Sequence, residues 1–228
     1  MNPTEPALSA SALASRMPAP HHVVSPFLGR KGVDQLLDYC IGNEAAFAAA
    51  SVGDGKQALI DGQLRRSRSL AIPDEFAHAV HAEFRRRLAI MLPDLIAALK
   101  LSPFEATVYE MELVAHNDGA FFARHIDTFT GAADLPPTQR MISAVYYFHA
   151  APKAFSGGAL RLHPVLGGGE DGSWVDVDPV CDSLVCFPSF APHEVRPIAC
   201  PSGRFSDSRF AINTWICRDD PAIAGARR

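Results

Sequence analysis

The chain has 228 residues, 48% of them hydrophobic and 20% charged, which suits a soluble globular protein whose core needs no disulfide framework. A formal net charge of −4 without a basic stripe argues against nucleic-acid binding, and no apolar run reaches a membrane-spanning length. Cysteines at 40, 181, 186, 200 and 217 form no CxxC pair, which points to reduced thiols and a cytoplasmic setting.

Residues 1–22 are rich in Pro, Ala and Ser, lack periodicity and carry no signal-peptide pattern; they read as a flexible tail. Residues 23–102 read as a helical support region. In SPFLGRKGVDQLLDYCIG, Val33, Leu36, Leu37 and Cys40 fall near helical spacing, and Gly42-Asn43 supplies a stop. A second helix follows Pro73, with Phe76, Val80, Phe84 and Leu88 four apart. Pro93 is expected to kink or end it, leaving DLIAALKL as a third piece. The stretch between them, including the basic RRSRS at 65–69, reads as a loop or short hairpin, its charges solvated.

From about residue 103 the period changes to two. TVYEMELVAH alternates Tyr109, Met111 and Leu113 with Glu110 and Glu112. FFARHID, RMISAVYYFHA, GALRLHP, WVDVDP, SLVCFP, HEVRPI and RFAINTWIC follow as further short strands, predicting an antiparallel jelly roll over 103–220. The class is α+β: a double-stranded β-helix with the N-terminal helices packed on one sheet.

His125 and Asp127 stand two apart, so on a strand both side chains reach one face. His193 begins another predicted strand and completes a two-His, one-carboxylate set. Such a facial triad leaves three positions of an octahedral ion open, and its donors, with no thiolate, suit Fe(II). In RFAINTWIC, Arg209, Ala211, Asn213 and Trp215 share one strand face and Phe210, Ile212, Thr214 and Ile216 the other. The second face suits the core; the first carries a guanidinium inward, whose natural partner is a ligand carboxylate.

The motifs HID, VYYFH, FSGGALRL, FPSFAPHEVRPI and RFAINTWI, in that order, resemble the prolyl-4-hydroxylase-type branch of the 2-oxoglutarate/Fe(II) dioxygenases, over roughly residues 104–218. The resemblance implies that His125, Asp127 and His193 hold iron and act catalytically, and that Arg209 and Tyr147 bind the distal carboxylate of 2-oxoglutarate. It places Asn213 and Trp215 in the pocket, and Gly157 and Gly158 in a tight turn before a core strand. Implied cosubstrates are 2-oxoglutarate and dioxygen, with ascorbate a candidate further cofactor. The expected reaction is hydroxylation of a peptidyl or free amino acid, since Asp127 occupies the position where related halogenases have a small residue.

Two features depart from the family. Arg209 lies sixteen residues after His193, where about ten is usual, and Arg204, eleven after, is a rival. His116 stands where the family often has a tyrosine, and is a candidate substrate-pocket residue. The Gly-rich HPVLGGGEDGSW could be a lid or a plain connection, and TFTGAADLPPTQ could order over substrate. His78, His81 and Arg85 read as a solvated helix face. Two other readings stand beside the hydroxylase of amino-acid residues: an oxygenase of a small metabolite, and a catalytically silent jelly-roll binding module. A zinc hydrolase of cupin-like shape would leave Arg209 and Tyr147 unexplained.

Overall fold

The structure, a computed structural model, describes residues 17–52, 59–72, 79–128, 137–166 and 173–219. Two antiparallel sheets face each other. The larger has the order β1 (His22–Val24), β11 (Ser183–Pro188), β7 (Thr138–Phe148), β14 (Arg209–Asp219), β5 (Val108–His116), β4 (Arg68–Ala71) and β2 (Ala48–Ala49). The smaller runs β10 (Val175–Val177), β9 (Leu160–Leu162), β12 (His193–Val195), β6 (Phe121–His125) and β3 (Arg65–Arg66). A two-stranded ribbon pairs β8 (Ser156–Gly157) with β13 (Ile198–Ala199). This is the expected double-stranded β-helix, and each predicted strand from TVYEMELVAH onward is found.

Period-two alternation divides the larger sheet into two chemistries. On β7, Ile142, Ala144, Tyr146 and Phe148 face the helices α1 (Arg30–Gly42) and α2 (Ala79–Ala98), together with Phe210, Ile212 and Ile216 of β14. Tyr147, Val185, Phe187 and Ala211 face the other way, into the jelly roll, against Leu160 and Leu162. Each fully buried Leu, Ile or Phe of these layers contributes roughly 1.5–3 kcal/mol. Asp182, in the turn before β11, ties the layers together. It accepts the Tyr146 hydroxyl at 2.8 Å and the amides of Leu28 and Gly29 at 2.7 and 2.9 Å, just ahead of α1.

Four expectations need correction. The expected tail overlaps the sheet: His22 pairs with Cys186 in β1, and Ala19 is buried, because β11 would otherwise present an open edge. Residues 1–16 lie outside the described residues. Pro93 neither ends nor splits its helix, since α2 runs through it; Phe84 and Leu88 before it and Leu95 and Ile96 after it are anchored in one core. His81 is buried, not solvated, because it falls on the stripe of Phe84 and Leu88 at helical spacing. Arg85 lies over the Tyr109 ring, and His78 is outside the described residues. Finally, the RRSRS segment forms β3 and β4, so the support region contributes an edge strand to the smaller sheet and β4 and β2 to the larger.

Candidate active site

His125 ends β6 and His193 begins β12, directly opposite each other in the ladder. Their rings lie 4.2 Å apart between centroids. His125 Nδ1 is 2.8 Å from the Ala123 carbonyl and His193 Nδ1 is 2.9 Å from that of Ala191. A carbonyl can only accept, so each Nδ1 carries the hydrogen and each Nε2 keeps a lone pair for a ligand. Asp127 lies beyond the end of β6, so the extended-strand argument does not explain its placement. Its amide donates to the Ser189 carbonyl at 2.9 Å, and its carboxylate accepts the Ser143 hydroxyl at 2.6 Å. Each carboxylate oxygen then stands 3.5 Å from one imidazole Nε2. The three donor atoms lie within 4.8 Å of one another, a cluster that fits one ion.

The electrostatics agree with a cation site. Burial raises the Asp127 carboxyl, but His193, His125 and the Ser143 hydroxyl outweigh it and hold the group well below the usual carboxylate range. Burial drives His193 down to about 4 against the attraction of Asp127, leaving it neutral and ligand-ready near pH 7.

The same pocket holds Arg209, 1% exposed, on β14 beside His116 of β5. Its Nη1 is 3.0 Å from His116 Nδ1. A guanidinium only donates, so that nitrogen accepts and His116 is neutral with its hydrogen on Nε2. Burial, then the charges of Arg209 and Arg65, push the His116 imidazole well below its ordinary value. The guanidinium carbon lies 4.7 Å from the Tyr147 ring centroid. Arg209 Nε, Tyr147 Oη and His116 Nε2 are buried without hydrogen-bond partners, and no carboxylate among the described residues meets this guanidinium. A buried cation costs several kcal/mol unless an anion joins it. Arg204, by contrast, is 73% exposed and paired with Asp207 at 2.8 Å.

Asn213 and Trp215 line the pocket, Asn213 donating to Glu112 Oε1 at 3.1 Å and Trp215 lying 4.0 Å from the Arg140 guanidinium carbon. Gly157 and Gly158 have φ of +71° and +75°, and a Cβ on Gly158 would stand 3.0 Å from Arg209 Cδ. Ser143, Ser189, Phe122, Arg65 and Glu112 were not anticipated. Ser143 was open to discovery, since it shares the inward face of β7 with Tyr147. Arg65 was not: it is 8% exposed and bonded to Glu112 at 2.8 Å, contrary to the solvated loop expected there. The central residues of the Gly-rich loop (167–172) and of TFTGAADLPPTQ (129–136) lie outside the described residues.

The profile of the 2OG-Fe(II) oxygenase superfamily matches residues 111–217, a span that opens inside β5 and closes inside β14. Over that span the chain is similar to the 2OG-Fe(II) oxygenase superfamily. An uncharacterised PKHD-type hydroxylase of Synechocystis is 39% identical over 150 residues, covering 60% of this chain and 46% of that protein, so the chain spans under half of this relative. Two solved structures share the fold. A Pseudomonas putida prolyl-4-hydroxylase superposes with a TM-score of 0.64 at 24% identity, covering 89% of this chain and 94% of its own. A Trichoplax adhaerens prolyl hydroxylase, in complex with a hypoxia-inducible-factor oxygen-degradation-domain peptide, gives 0.58 at 21%, with coverage of 87% and 83%. The pocket lies at the mouth between the two sheets, with the His-Asp-His cluster on the smaller and Arg209 on the larger.

Proposed function

We propose that the chain is a 2-oxoglutarate-dependent Fe(II) hydroxylase of prolyl-4-hydroxylase type that acts on a peptidyl or free amino acid. One observation carries the reading: a buried arginine with no carboxylate partner among the described residues shares a pocket with a complete two-histidine, one-carboxylate cluster. The donor set fits the ion, being two imidazole nitrogens with their lone pairs free and one carboxylate held ionised. Bound Fe(II) with 2-oxoglutarate supplies oxidative decarboxylation coupled to transfer of one oxygen atom of dioxygen to a substrate C–H bond.

His125, Asp127 and His193 hold the metal. Arg209 and Tyr147 take the distal carboxylate of 2-oxoglutarate, and neutral His116 adds its Nε2–H to the same cluster. Burial raises the Tyr147 phenol, so it stays a neutral donor to an incoming anion. Leu160 and Phe187 keep water from the ligands. A peptide substrate is favoured by the likeness to the Trichoplax enzyme, whose complex holds a peptide. A cytoplasmic setting is supported by five free thiols, and ascorbate enters as a reductant to be tested. Among the described residues no helix is long and apolar enough to cross a membrane.

The test is direct. The Fe(II)-loaded protein is given 2-oxoglutarate anaerobically, oxygen is admitted, and succinate is measured. Uncoupled turnover that His125→Ala abolishes is the expected result. No succinate at any iron loading would leave the silent binding module standing.

A further inference from the structure

The geometry points to Arg65 as a positioning residue that, through Phe122 and strand β3, fixes the plane of the metal ligand His125. The inference rests on the reading of His125 as a ligand.

In a regular strand, residues three apart face opposite sides, so Phe122 should turn away from His125. The ladder between β6 and β12 breaks that rule. His193 pairs with His125 and Val195 with Phe122, so two steps on β12 match three on β6. This bulge turns Phe122 onto the ligand face. Its ring stacks on the His125 imidazole at 3.6 Å between centroids and 18° between planes. Within the bulge, Ala123 accepts the His125 Nδ1 hydrogen through its carbonyl and donates its amide to the Leu64 carbonyl at 2.7 Å. Both restraints on the imidazole therefore lead to β3 and to Leu64, the residue just before it.

Arg65 fastens that strand. It pairs across the ladder with Phe122, its guanidinium carbon 4.9 Å from the Phe122 ring centroid. Each guanidinium nitrogen has a partner: Nε the Ser67 hydroxyl at 3.0 Å, Nη1 the Ser51 carbonyl at 3.1 Å, and Nη2 Glu112 Oε1 at 2.8 Å. Glu112 belongs to β5 of the larger sheet and also accepts from Asn213. The Arg65–Glu112 pair thus bridges the mouth of the pocket, and β3, an edge strand of only two residues, depends on it for its place. A plain core staple would hold the fold without touching the ligand. Here it reaches His125 through one aromatic ring and one backbone carbonyl.

The experiment uses Co(II) binding to the metal-free full chain, read by its visible spectrum and by titration. Arg65→Met with Glu112→Gln removes both charges together and strands neither. Phe122→Leu removes the stack alone. Both proteins are expected to bind Co(II) about 10-fold more weakly with a changed visible spectrum, the range seen when a residue orienting a ligand is lost. Combining all three substitutions is expected to cost less than the two separate losses together, because both changes share the Phe122 ring. Wild-type affinity and spectrum in Phe122→Leu, or fully additive losses, would overturn the role of Arg65. Should the charge-free double variant fail to fold, Phe122→Leu decides alone. If the unaltered protein takes up no Co(II), the metal-site reading itself falls; if it binds and His125→Ala does not, the ligand reading stands whatever Arg65 does.

Discussion

The Ser143 hydroxyl donates to Asp127 Oδ2 at 2.6 Å, and its oxygen lies 3.0 Å from the Ser189 hydroxyl oxygen. β7 thereby orients the one carboxylate of the cluster, which no strand of its own holds in place. Ser143→Ala should weaken Co(II) or Fe(II) binding about 10-fold or more, the usual cost of losing a ligand's hydrogen-bond partner. Ser143→Thr should recover most of it. Titration of the metal-free protein measures both, and unchanged affinity in the alanine variant would remove Ser143 from the site's design.

Arg209 and Arg204 offer a sharper contrast than their spacing does. Arg209→Ala removes a buried guanidinium, and a lost buried charged partner costs about 2–5 kcal/mol, so the Kd for 2-oxoglutarate should rise at least ~30-fold. Arg204→Ala removes an exposed side chain paired with Asp207 and should change that Kd by less than about twofold. Anaerobic titration of the metal-loaded protein reads both. The reverse order would reassign the anion site.

Gly158 combines a φ of +75° with close approach to Arg209 Cδ at 3.0 Å and Ile198 Cγ1 at 2.7 Å from any added Cβ. Gly158→Ala should cost about 1–3 kcal/mol of stability from left-handed strain. It should also weaken 2-oxoglutarate binding, because the new methyl displaces the Arg209 stem. Urea denaturation and the same titration separate the two effects; lost stability with intact binding would confine Gly158 to the turn.

Acid should destabilise the metal-free protein well before its carboxylates titrate. Burial holds His193 at about 4 in the folded chain, against an unfolded value near 6.5. The unfolded state therefore binds more protons across that interval, so stability is full above about pH 6.5 and is lost as pH falls toward 4. By pH 5 the loss from His193 alone is roughly 2 kcal/mol. His116, lowered by burial and then by Arg209 and Arg65, pulls the same way. Urea midpoints at pH 7.5 and 5 test this, and His116→Gln should flatten the slope. A flat profile in the unaltered protein would contradict the buried neutral imidazoles.

Much of the site was readable because strand alternation and ligand chemistry are local. Asn213 and Trp215 were placed in the pocket from the period of RFAINTWIC, and Phe210, Ile212 and Ile216 in the core from its other phase. Where the period breaks, the reading breaks with it. The bulge in β6 puts Phe122 on the ligand face, and Asp127 is aimed by Ser143 of β7 and by Ser189 in the turn after β11. His81 shows a different failure: its helical spacing was buried all along, but its polarity suggested solvent.

By itself the sequence determined the class of fold, the candidate set of two histidines and one carboxylate, and the presence of an inward arginine, because period and donor type are properties of short segments. The tertiary structure alone decided that Arg209 is buried without a carboxylate partner among the described residues, that Arg65 is a buried bridge and that His22 joins a sheet. Each of those depends on which distant segment supplies the partner: His116 and Tyr147 for the first, Glu112 for the second, Cys186 for the third. A buried charge or an open strand edge is tolerable only beside its complement, and that complement lies far away in the chain.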